Sequence, residues 1–118
     1  MLLRTLTFIL LFGIPLTSFS QVEGDSLVPT QYFYENGQVS SEGSLRNGRP
    51  DGYWKSYYRD GVLKAEGNRK NYQLDGPWVF YNREGLPTSE ITYLNGQKDG
   101  PSKVYVNGVL VKVDQFKA

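Results

Sequence analysis

The 118-residue chain contains no cysteine and no histidine. Without Cys there is no disulfide framework, and the lipid-bearing residue of a bacterial lipoprotein is missing. Without His, and with no nucleophile motif such as G-x-S-x-G, catalysis has little to stand on. No catalytic, metal-ligating or cofactor-binding residue is assigned. Charge is equally spare: 13 basic residues face 12 acidic ones. No basic field draws in nucleic acid or anionic lipid.

Long apolar runs are scarce too. The one such run, "TLTFILLFGIPL", follows "MLLR" and precedes "TSFSQ". It is shorter than the about 20 residues of a transmembrane helix. Positive start, apolar middle and small residues at Ser18 and Ser20 predict a signal peptide over 1–20, cleaved after Ser20. The mature chain then starts at Gln21 and is periplasmic or secreted, with no stable membrane insertion. Its charge is balanced, because Arg4 leaves with the signal. Residues 21–28 read as a linker. Beyond the signal, no segment shows helical periodicity without an intervening Gly or Pro, so helices are not expected.

What the chain has in abundance is repetition. Asp51-Gly52, Asp75-Gly76 and Asp99-Gly100 recur at 24-residue steps. Gly37, Gly61 and Gly85 keep that step, as do Glu42, Glu66 and Glu90, and Asn47, Asn71 and Asn95. Phe33, Tyr57, Tyr81 and Tyr105 form one aromatic column. Trp54 and Trp78 form another, flanked by Thr30 and Ser102. Units of about 29–52, 53–76, 77–100 and 101–118 result.

Each unit reads as an aromatic strand ("YWKSYY", "PWVFYN"), a Gly turn ("ENG", "RDG", "REG", "VNG") and a second strand ("QVSSEGSL", "VLKAEGNR", "LPTSEITY"). Asn-Gly and Asp-Gly are strong hairpin signals, and Asp51, Asp75 and Asp99 are read as turn formers with their glycines. The expectation is an all-β ladder of consecutive antiparallel hairpins. Alternation sets Trp54, Ser56 and Tyr58 on one face, with Lys55, Tyr57 and Arg59 on the other. Trp78 is expected on the packed face, its ring over strand glycines such as Gly43 and Gly67. The Tyr57, Tyr81 and Tyr105 column, with Arg59 and Arg83 interleaved, is expected to be more exposed and to offer partner-binding surface.

Other chemistries fit less well. The Glu column falls on every second strand, about 9.6 Å apart, near the inverting-glycosidase separation. Any two-strand repeat gives that spacing, and a ladder of solvated or cross-strand-paired carboxylates is the favoured reading. Each Asp-Gly offers one carboxylate, whereas a calcium loop clusters several. The aromatic columns could stack sugars or bases, though stacking on one another explains most of them.

From Asp51 to Tyr72, "DGYWKSYYRDGVLKAEGNRKNY" resembles the MORN-repeat variant family, and the likeness extends over about Tyr32 to Phe116. Tyr72 stands in place of a Gly, Ile91 in place of the equivalent of Gly67, Val113 in place of a Glu, and Pro87 interrupts a strand. The last unit is one residue short at its turn, like a capping repeat. The resemblance implies an elongated, twisted sheet of about four repeats and no enzymatic activity. Bacterial members are labelled antitoxin- or immunity-like. The expected function is binding of another protein, a toxin or envelope component included. A cell-wall glycan binder or hydrolase is the alternative from another class.

Overall fold

The computed structural model describes residues 26–118. The expected signal peptide lies outside the described residues. The chain forms β1 (Leu27–Phe33), β2 (Val39–Arg46), β3 (Arg49–Tyr57), β4 (Leu63–Lys70), β5 (Gln73–Tyr81), β6 (Pro87–Leu94), β7 (Gln97–Val106) and β8 (Val109–Phe116). They pair in sequence order as one eight-stranded antiparallel sheet. This is the all-β hairpin ladder that the turn signals predict. β1 opens at Leu27, and Pro87 opens β6 opposite Tyr81 rather than breaking it.

Two turn types alternate. At one end of the strands, Gly37, Gly61 and Gly85 sit at φ 90, 96 and 86 and donate their N–H to Tyr34, Tyr58 and Asn82. These are three-residue loops closed by a left-handed Gly. At the other end, Asn47-Gly48, Asn71-Tyr72 and Asn95-Gly96 make two-residue turns with both φ values positive, the geometry that continues strand twist. The shortened last unit uses this tighter turn at Asn107-Gly108.

The Asp-Gly pairs depart from expectation. Asp51-Gly52, Asp75-Gly76 and Asp99-Gly100 lie inside β3, β5 and β7, not in turns. Their glycines have φ 91, 81 and 99 and bend the strand into a bulge. Between β4 and β5, Asn68 faces Asp75 while the adjacent Gly67 faces Trp78, so Gly76 and Pro77 are extra. The same interruption falls between Glu42 and Leu45 on β2 and between Ile91 and Tyr93 on β6.

In β3 and β5 a tryptophan two residues past the bulge repairs it. Trp54 donates its indole N–H to the Ser44 carbonyl at 3.1 Å, and Trp78 to the Asn68 carbonyl at 2.7 Å. Each ring lies flat over a strand glycine. A Cβ on Gly43 would stand 2.2 Å from Trp54 Cδ2, and one on Gly67 2.5 Å from Trp78 Cδ2. Where Ile91 occupies the glycine column, its partner in the Trp column is Ser102. Trp54, Ala65 and Trp78 form the buried core, with Leu45, Leu74, Phe80 and Tyr93 packed against it.

Candidate functional site

The two faces of this single layer have different chemistry. On one, a row crosses the sheet from Gln31 through Glu42, Lys55, Glu66, Val79, Glu90 and Lys103 to Val113. Cross-strand Glu–Lys neighbours support such a row. Its carboxylates also take tyrosine hydroxyls. Tyr57 donates to Glu42 Oε2, and Gln31 donates to Glu42 Oε1 at 3.0 Å. Tyr81 donates to Glu66 Oε2 at 2.5 Å and Tyr53 to Glu66 Oε1 at 2.9 Å. The Glu column is thus a cross-strand-paired ladder.

The electrostatic consequences follow from those bonds. The Tyr57 hydroxyl and then Gln31 hold the Glu42 carboxyl below its ordinary value. Burial first, then the Glu42 carboxylate, pushes the Tyr57 phenol up to about 12, and burial with Glu66 does the same for Tyr81. Tyr57, Tyr81 and Tyr105 are half-buried, more open than the tryptophans, yet the hydroxyls of the first two point into carboxylates rather than water. A hollow of about 510 Å³ on this face, beside Pro29, Gln31, Glu42, Tyr53 and Lys55, is shallow and open.

Arg59 and Arg83 belong to the three-residue turns, both exposed. Arg59 lies over the Tyr34 ring at 5.1 Å and Arg83 over Tyr58 at 4.8 Å. Tyr34 and Tyr58 in turn donate to the carbonyls of Tyr57 and Tyr81, at 2.6 and 2.7 Å. The arginines therefore tie successive repeats together, apart from the Tyr57 and Tyr81 hydroxyls with which the sequence groups them.

The Trp face carries the more enclosed feature. A depression of about 310 Å³ is lined by Tyr32, Leu45, Pro50, Trp54, Tyr72 and Trp78. Tyr32 stacks on Trp54, with centroids 6.4 Å apart. Arg69 covers Trp78 at 5.6 Å and donates to the Tyr72 carbonyl at 3.1 Å, which pins the turn against the wall. Tyr32 is 49% exposed and Tyr72 62%, so both rings stand at the mouth. Among the described residues, no three His, Cys, Asp or Glu converge to hold a metal ion.

Tyr32, Tyr72 and Arg69 are not among the candidates read from sequence. The available signal was Tyr72, an aromatic in a column otherwise held by turn glycines. Its φ is 72, in the left-handed region that an L side chain adopts only at a cost.

Residues 29–47 and 50–71 match the family model described as MORN repeat variant. No curated protein matches the chain. The matched stretch spans β1 to β4 and so contains most of the lining of the depression.

Proposed function

We propose that the chain, being a MORN-repeat variant protein, is a non-catalytic recognition module that binds another protein in the depression on its Trp face, outside the cytoplasm. The observation that carries this reading is Tyr72. A non-glycine residue held at positive φ costs about 1–3 kcal/mol, and such strain clusters at binding sites. Here it presents a ring that is 62% exposed, so packing does not repay the strain. Beside it lie Trp54, Trp78, Leu45 and Pro50, an apolar concave surface with the Arg69 guanidinium stacked on its wall. Amphipathic rings at the rim of an apolar hollow are the composition of protein contact sites.

The test is affinity capture from envelope extracts of the host, with the parent and a Tyr32→Ser/Tyr72→Ser variant as paired baits. A protein retained by the parent and lost by the variant, with equal melting temperatures, supports the site. Equal retention by both places binding elsewhere. Retention of polysaccharide instead would favour the glycan-binding alternative. Intact mass of the exported bait should show a chain beginning at Gln21. An uncleaved, membrane-held product would remove the extracytoplasmic part of the reading.

A further inference from the structure

Among the described residues, β8 is the last strand of the sheet, paired on one side with β7 and open on the other. Its sequence is VLVKVDQF. Val109, Leu110, Val111, Val113 and Phe116 are between 41% and 63% exposed. An exposed apolar edge with unpaired backbone groups is a template for another strand. β1, the opposite edge, is protected. It contains Pro29, which has no N–H to give to an added strand.

We infer that β8 pairs with β8 of a second copy of this chain, antiparallel about a twofold axis at Val113. The charges choose both the occupant and the register. Lys112 and Asp114 flank Val113 and lie on one face, 3.4 Å apart as an exposed ion pair. Centred on Val113, each Lys112 stands opposite Asp114 of the second copy, and Leu110 stands opposite Phe116. Centring on Lys112 or on Asp114 sets like charges directly opposite one another, which is destabilising. Centring between two residues pairs outward-pointing backbone groups with inward-pointing ones, and the ladder fails. Of the centrings on Lys112, Val113 and Asp114, the one on Val113 satisfies backbone, charge and apolar contacts together. The contact is self-complementary and closed, as a twofold interface requires. The protected β1 strands end up at the two outer edges, which stops growth into a filament.

The chain, expressed whole and purified as its host processes it, is examined by sedimentation over a range of concentrations. A dimer is expected. Lys112→Asp sets like charges opposite one another twice per interface and should weaken the dimer by about tenfold or more. The double exchange Lys112→Asp/Asp114→Lys should restore it. The chain has no cysteine, so Val113→Cys gives an independent readout. It should form an intermolecular disulfide on air oxidation, and Val109→Cys should not. A monomer at every concentration, a failure of the double exchange to restore pairing, open-ended assembly, or equal cross-linking at both positions would each overturn the inference.

Discussion

Gly67→Ala adds one methyl group and should be among the most damaging small changes available. The new Cβ would sit 2.5 Å from Cδ2 and Cγ of Trp78 and 2.6 Å from Cδ1. Carbon atoms rest about 3.5–4.0 Å apart, so the indole must move by about 1 Å or more. Trp78 is 4% exposed and its N–H bonds the Asn68 carbonyl at 2.7 Å. Displacing the ring weakens that bond and opens the core. Complete loss of a buried aromatic costs about 3–5 kcal/mol and overpacking about 1–3, so about 2–4 kcal/mol is expected. In a domain of this size each kcal/mol lowers the melting temperature by about 4–8 °C. The decisive comparison is the same change in a Trp78→Ser background. There the clash is gone, and Ala is better than Gly in a strand by about 0.5–1 kcal/mol. The sign should reverse. The chain already contains such a pair, since Ile91 faces Ser102. Denaturant melts of the four proteins give a coupling energy of about 2 kcal/mol or more. A cost below about 0.5 kcal/mol, or the same cost in both backgrounds, would refute the ring-over-glycine account.

Other consequences are simpler. Gly61 has φ 96, so Gly61→Val should lower stability by about 1–3 kcal/mol in a thermal melt. An unchanged midpoint would contradict the loop geometry. Tyr57 and Tyr81 have phenols raised from 10.0 to about 12, so the fold favours their protonated forms. Their contribution is complete below pH 10 and is lost as pH climbs towards about 12. Alkaline unfolding should fall in that window, and a Tyr57→Phe/Tyr81→Phe variant should show a smaller pH dependence there. Glu42, lowered by its bond from Tyr57, contributes above its ordinary 4.5 and loses that contribution as pH falls through its lower folded value. Glu42→Gln should flatten the acid limb of a stability profile.

Much of the fold was legible because turn chemistry is local. Gly37, Gly61 and Gly85 announce left-handed turn positions, and the 24-residue step sets their order. The packing of Trp54 and Trp78 over Gly43 and Gly67 was legible for a related reason, since a bare strand glycine offers room to a large ring. Asp51-Gly52 misleads because a left-handed Gly serves a bulge as well as a turn, and only the cross-strand register tells them apart. The site was less legible. Alternation placed Tyr57 and Tyr81 on the face opposite the tryptophans, but it carries no information about hydroxyl partners 15 residues back on the neighbouring strand. Tyr32, Leu45 and Tyr72 meet only because β1, β2 and the turn after β4 are brought together by the sheet.

The central claim, that the Trp face is the contact surface, is tested most directly by nuclear magnetic resonance of the ¹⁵N-labelled chain as the captured partner is added. The chain's two indole N–H signals, from Trp54 and Trp78, both report on the depression. Those signals and the Tyr72 amide should shift or broaden, while the Arg59 and Arg83 side-chain N–H signals at the turns stay in place. Perturbation of the arginine signals with silent indoles would contradict the account and put the contact on the turn edge of the sheet.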